Sequence, residues 1–154
     1  MMRITRRIAA AAAVCGLALG ALAAGIEPAS ASEADCANGA NGFVDIPDNL
    51  ATGSRARPAI NMGSGVTLEL RYGTVYGRQR GWARIYGDLL EGDRVWMDWT
   101  TNGGASWLQC GPFYAGGLNS KTSAAKSTNP SPTYQFRACA RLQYIEVTRC
   151  TAWW

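Results

Sequence analysis

The chain has 154 residues, with 15 Lys+Arg against 11 Asp+Glu, a formal net charge of +4 and no histidine. Without histidine there can be no Ser-His-Asp or Cys-His nucleophilic site, no His-ligated zinc and no histidine acid or base of the kind common in secreted nucleases. Nor does the sequence hold a phosphate-cradling loop between a strand and a helix, or any long run of like charge.

Residues 1–31 have the form of an export signal. Arg3, Arg6 and Arg7 give a positive start, Ile8 to Ala24 is an alanine- and leucine-rich apolar run, and Ala29-Ser30-Ala31 is a small-residue cleavage site. The run is short and alanine-rich for a retained membrane anchor. Cys15 follows Val14, where a lipidation site would want a small residue. Arg6-Arg7 alone is a weak twin-arginine pattern, so ordinary secretion is the better reading. Removing 31 of the 154 residues leaves 123, enough for one domain with a real core. Three arginines and Glu27 leave with the signal, so 12 basic and 10 acidic residues remain and the charge falls to +2. That is too near neutral for a nucleic-acid partner. The mature protein is expected to be secreted and extracellular, with no membrane contact.

Four cysteines remain, Cys36, Cys110, Cys139 and Cys150, and an even number in an exported chain implies two disulfides with three possible pairings. No C-x-x-C spacing occurs, which disfavours zinc and thioredoxin-type chemistry; no metal or cofactor is expected. Tyr144-Ile145, midway between Cys139 and Cys150, makes a poor tight turn. The preferred pairing is therefore Cys110–Cys139 with Cys36–Cys150, the second closing a long loop for about 3–5 kcal/mol in the chain-entropy model.

In chain order, 32–65 is rich in Ala, Asn, Gly, Asp and Pro and reads as a loose arm with one short strand near Phe43-Val44. Residues 66–154 form the β domain. Val66 to Tyr72 alternates apolar and polar, Gly73 to Gly81 contains a turn, and Trp82 to Tyr86 is the next strand. Gly87 to Gly92 turns into a hairpin, Asp93 to Phe113, giving four antiparallel neighbours in a meander. In that hairpin Val95, Met97 and Trp99 share one face, Trp96 and Asp98 the other. Asn102-Gly103-Gly104 supplies the turn. From Tyr114 to Thr133 the Gly, Ser, Thr, Asn and Pro content predicts a surface loop. Tyr134 to Leu142 restores alternation, and Tyr144 to Trp154 completes a single all-β antiparallel sandwich or barrel of about six strands, stapled by disulfides. Trp153-Trp154 is expected to cap the open end of the core.

Two resemblances accompany this reading. Thr100-x-Asn102-x-Gly104-x-Ser106-Trp107 resembles the Asp-box hairpin of sialidases and other secreted β-proteins, with Asn102 for the usual aspartate; it implies a self-bracing turn with the tryptophan packed beneath and no catalytic role. The pieces LELRY (68–72), GWARI (81–85), the strand-turn-Trp unit 95–107 and FRACARL (136–142) resemble a group of small secreted actinobacterial proteins whose shared domain has no known function. Tyr76 or Arg78 stands where that group often has a cysteine. This resemblance implies secretion and an all-β fold and lends no catalytic residue.

Asp88, Glu91 and Asp93 cluster in one turn, where carboxylates are ordinarily solvated, so a glycosidase pair is not expected and the protein is read as a non-enzyme. The better candidate is a surface. If Ala83 and Ile85 face the core, alternation exposes Trp82, Arg84 and Tyr86, joined on the adjacent strand by Trp96 and Asp98; Glu69 and Arg71 would extend it. The competing reading buries Trp82 and Trp96 under the arm or the long loop. The preferred function is an adaptor or subunit of a secreted assembly, such as a toxin particle or envelope complex, with another secreted protein as partner. The alternatives are a module stacking cell-envelope glycan on Trp82, Tyr86 and Trp96, and a protease inhibitor with 114–133 as reactive loop. The oligomeric state is open.

Overall fold

The computed structural model describes residues 32–154, and the expected export signal, 1–31, lies outside them. The described chain is all-β. Its strands are β1 Phe43–Val44, β2 Ser54–Arg55, β3 Ile60–Gly63, β4 Val66–Val75, β5 Arg78–Tyr86, β6 Arg94–Thr100, β7 Leu108–Tyr114, β8 Ser120–Thr122, β9 Ala125–Ser127, β10 Gln135–Arg141 and β11 Thr148–Cys150. They form two antiparallel sheets. Sheet one runs β1-β9-β5-β4-β2, with β3 also on β4 and β8 also on β5; sheet two runs β11-β10-β6-β7.

Period-two alternation builds the core between the sheets. Leu68, Leu70, Ala83 and Ile85 come from sheet one, and Val95, Met97, Phe136, Ala138 and Ala140 from sheet two; all are buried. The β4–β5 hairpin turns at Tyr76-Gly77, both at positive φ (48° and 72°), the two-residue geometry whose twist suits a hairpin.

The expected four-strand meander is corrected at Gly87–Asp93. β4 pairs with β5 and β6 with β7, but β5 and β6 belong to different sheets. The link crosses between the layers instead of closing a hairpin, because Leu89 is buried and the buried Asp93 carboxylate accepts from the amides of Leu90 and Gln143, each at 2.9 Å. Gly87 makes the crossing tight: at φ 121° a Cβ there would sit 2.1 Å from the Gly65 carbonyl oxygen.

The stretch 32–65 is not a loose arm. After two short 3-10 turns, Glu33–Asp35 and Ala37–Gly42, β1 pairs with β9, and β2 and β3 pair with β4. Lys126 holds this segment down. Its ammonium donates to the Asn41 carbonyl at 2.5 Å and lies over the rings of Trp99 and Phe43, at 4.0 and 4.9 Å. Burial, with the charge of Arg80 second, pulls its pKa below the usual lysine value.

The expected surface loop 114–133 is likewise corrected. β8 and β9 lie against β5, and Thr122, Ser123, Ala124, Ala125 and Lys126 are buried. Small residues let the backbone come close enough for the Ser123 hydroxyl to accept from the Ala83 amide at 3.0 Å, so polar composition here marks close packing.

The disulfides are Cys36–Cys110 and Cys139–Cys150, which overturns the preferred pairing. Cys139 and Cys150 are register partners on β10 and β11, with Cα atoms 4.1 Å apart. The chain returns between them through a wider link, closed by the Leu142 amide on the Val147 carbonyl at 3.1 Å, with Glu146 at φ 49°. Tyr144-Ile145 never has to form a tight turn. Cys36–Cys110 ties the N-terminal cover to β7 across a separation of 74 residues.

Beyond β11 the tail continues beside β10. Trp154 exchanges both backbone hydrogen bonds with Phe136, at 2.8 and 2.9 Å. The two terminal tryptophans diverge: the Trp154 ring packs on Tyr72, centroids 4.9 Å apart, while Trp153 reaches the outer side of sheet two.

Candidate interaction surface

Register sets the outer face of sheet two. Arg137 on β10, Asp98 on β6 and Gln109 on β7 line up across three strands, and Cys139 pairs with Trp96 in the next outward row. A further row holds Arg141, Arg94 and Tyr114, the Arg94 guanidinium 5.8 Å from the Tyr114 ring centre. At the other end Arg137 contacts two indoles: its guanidinium carbon is 4.6 Å from the Trp107 centroid and 4.6 Å from that of Trp153. The rings of Trp107 and Trp153 are themselves 6.1 Å apart.

Asp98 anchors this stack. Its Oδ2 accepts from Arg137 Nε at 2.7 Å, while Oδ1 is buried without a partner. Burial raises the Asp98 pKa, against the lowering exerted by Arg137. The ion pair holds the guanidinium in place, and both indoles contact it while meeting each other edge to face, inclined by 62°. A Trp-Arg-Trp cluster already held in this way forfeits less side-chain entropy when it meets a partner than three mobile side chains would. Trp107 and Tyr114 are 48% and 52% exposed, so large apolar area faces water at both ends of the surface.

The turn that presents Trp107 is braced from within. Asn102 Oδ1 accepts from the Ser106 amide at 3.0 Å, its Nδ2 donates to the Ser106 hydroxyl at 2.8 Å, and the Thr100 hydroxyl donates to the Ser106 carbonyl at 2.6 Å. Trp107 does not pack beneath this turn. It stands on the outer face beside Trp153.

The five residues anticipated as one surface are thus divided between opposite sides of the sandwich. Trp96 and Asp98 lie on the sheet-two face, Asp98 buried as the anchor and Trp96 half-buried beside the Cys139–Cys150 bridge. Trp82, Arg84 and Tyr86 lie on the outer side of sheet one. There Trp82 is fully buried under Val44, Ile46 and Leu50. Arg84 and Tyr86 are half-buried, the guanidinium stacked 4.4 Å over the ring, in a cluster centred on Glu69. Burial pushes the Glu69 carboxyl up, but hydrogen bonds from Arg71 (2.7 Å) and Arg55 (2.5 Å) outweigh it and hold the pKa below the usual glutamate value. Arg71 also donates to the carbonyls of Ala51, Thr52 and Gly53, so this cluster fastens the cover to the sheet.

The alternation read over Tyr134 to Leu142 puts Arg137 and Arg141 on one face but does not connect them to Trp107 or Trp153. The available signal was the shared parity of Arg137 and Asp98 on strands of similar length. Among the described residues no group of three or more His, Cys, Asp or Glu is placed to hold a metal ion, and no helix is long and apolar enough to cross a membrane. Comparisons with protein-family models, with curated proteins and with solved structures yield no match to this chain.

Proposed function

We propose that this protein is an exported, non-enzymatic interaction module, an adaptor or subunit of an extracellular assembly, that receives another secreted protein on the outer face of sheet two. The observation that carries this reading is the Trp107–Arg137–Trp153 cluster seated on Asp98. Trp, Tyr and Arg dominate the energy of protein interfaces, and here they are gathered on one face. Arg94, Arg137 and Arg141 outnumber the acidic residues on this face of the sheet, so the partner surface should be acidic at its rim. Two disulfides fit an oxidising compartment.

The two alternatives lose their geometric basis. A stacking platform of Trp82, Tyr86 and Trp96 is not assembled, since Trp82 is buried and Trp96 belongs to the other sheet. The centre of 114–133 is paired and buried, leaving no long exposed reactive loop.

The test is cross-linking and affinity capture from culture supernatant of the producing cell, comparing the native chain with Trp107→Ala and Arg137→Ala. The expected result is one stoichiometric protein companion whose recovery falls at least about tenfold in either variant, as hot-spot truncation produces. Undiminished capture by both variants, or retention on cell wall with no protein companion, would overturn the proposal.

A further inference from the structure

A second surface lies at the end of the sandwich. The 128–132 turn, the start of β5 and the Trp154 tail enclose a groove of about 460 Å³, a size typical of small-molecule sites. Its chemistry differs from that of the arginine-rich face: no charged side chain lines it. Tyr134 and Trp154 contribute ring surface, and Pro130 and Pro132 form an exposed apolar rim.

Beside the hydroxyl-bearing Thr128, Ser131 and Tyr134 the lining holds three carboxamides, Gln79, Asn129 and Gln135. Each keeps hydrogen-bonding capacity that the fold does not use. Gln79 accepts from the Thr128 hydroxyl at 3.1 Å through Oε1, leaving its amide hydrogens free. Asn129 accepts from the Ser131 amide at 2.9 Å through Oδ1, again leaving its nitrogen free. Among the described residues the Gln135 side chain has no hydrogen-bond partner, although its backbone lies in the β10–β6 ladder. Side-chain amides that both donate and accept, set beside aromatic rings in a groove lined by no charged side chain, complement a ligand with many neutral hydroxyls and an apolar ring face.

The floor also excludes one competing mode of recognition. The amide and carbonyl of Phe136 are both paired with Trp154, at 2.8 and 2.9 Å, so no free backbone edge is offered there for strand addition. An ionic ligand would find no counter-charge among the side chains, and a purely apolar one would strand the carboxamides without their water.

We propose that this groove binds a neutral pyranose oligosaccharide, with Trp154 and Tyr134 packing on sugar-ring faces and Gln79, Asn129 and Gln135 hydrogen-bonding the hydroxyls. This site does not depend on the protein-partner reading. Trp153 and Arg137 point to the other side of the chain from Trp154 and Phe136, so each site can be tested with the other intact.

The experiment is NMR titration of the secreted protein with three neutral probes, cellotetraose, maltotetraose and chitotetraose, alongside tri-galacturonate and a proline-rich decapeptide. The expected result is a saturable shift of the Trp154 indole N–H and the Gln135 side-chain amide with at least one neutral tetrasaccharide at or below about 1 mM, a weak but specific affinity. Binding should fall at least about tenfold in Gln135→Ala and in Gln79→Ala, losses of the size expected from removing a hydrogen-bond partner. Both side chains lie partly or fully in water, so melting temperature should hold in these variants even if Trp154→Ala destabilises the fold. Arg137→Ala should bind the sugar as the native chain does. No saturation by any neutral probe up to about 10 mM, tighter binding of the peptide or the galacturonate, or sugar shifts that survive both glutamine substitutions would overturn the assignment.

Discussion

Replacing Trp82 by alanine should destabilise the fold, and the size of the loss can be worked from its surroundings. The indole is fully buried on the outer side of sheet one, covered by Val44, Ile46 and Leu50 and flanked by Val75 and Ala125. Its far edge fits between Gly53 and Gly73, where an added Cβ would come within 3.1 and 3.5 Å of the ring. Truncating a buried aromatic to alanine costs about 3–5 kcal/mol. The Trp82 ring N–H is itself buried without a partner, so its removal offsets roughly 1 kcal/mol of that loss. The net expectation is about 3 kcal/mol for Trp82→Ala and about 1 kcal/mol for Trp82→Phe, which keeps most of the packing and removes the orphaned donor. An unfolding entropy of about 2.1 cal/mol/K per residue over the folded domain converts 3 kcal/mol into a fall of roughly 12 °C in Tm. Urea unfolding followed by far-ultraviolet circular dichroism reads the free energy, and a thermal scan reads Tm. A loss below about 1 kcal/mol for Trp82→Ala would mean that the 44–50 segment does not cover the ring, and the assignment of that segment as the lid of sheet one would fail.

Two further outcomes follow from the same contacts. Glu69→Gln leaves Arg55, Arg71 and Arg84 without their shared carboxylate and should cost about 3 kcal/mol at neutral pH, the low end for a broken buried pair because Arg55 is largely in water. The folded pKa of Glu69 lies below its unfolded value, so its contribution is present above about pH 4.3 and fades as pH falls. Asp98, with a raised folded pKa, works in the opposite sense and favours the folded state as it takes up a proton. The stability difference between native protein and Glu69→Gln should therefore shrink on acidification, and parallel stability–pH curves would count against the cluster. Non-reducing peptide mapping should recover Cys36 linked to Cys110 and Cys139 linked to Cys150; recovery of Cys110 with Cys139 would overturn the pairing.

How far the fold was legible depended on how each segment buries its surface. Val66–Tyr72, Trp82–Tyr86, Val95–Trp99 and Tyr134–Leu142 alternate because each has one face on the core, and a strand is found at each, β4 and β5 running further into their shared turn than the pattern shows. The 122–127 region hid its strands because it packs through Ala and Ser, and the close approach that buries small residues leaves no apolar signature. The crossing at Gly87–Asp93 could not be told from a hairpin turn, since Gly and Asp serve both; the distinction lies in Leu89 and in the hydrogen bonds of Asp93, which are tertiary facts. Misassigning that one link also merged two surfaces, because a β6 placed beside β5 brings Trp96 next to Trp82. For the interaction face, Arg137 and Asp98 shared a visible parity, but the stacking of Trp107 and Trp153 required the tail to run back along β10.

The N-terminal cover is closed by contacts distant in sequence. Phe43 pairs with Lys126, Cys36 bonds with Cys110, and Arg57 hydrogen-bonds the Trp153 carbonyl across 96 residues. Cys36 and Phe43 therefore have no partner until β7 and β9 exist, whereas β2 and β3 pair with the adjacent β4. Such non-local closure places spontaneous folding in the millisecond-to-second range, slower than a chain of local hairpins would need. In a chain emerging from its N-terminal end, Cys36 cannot bond to Cys110 until the 74 positions that separate them have emerged.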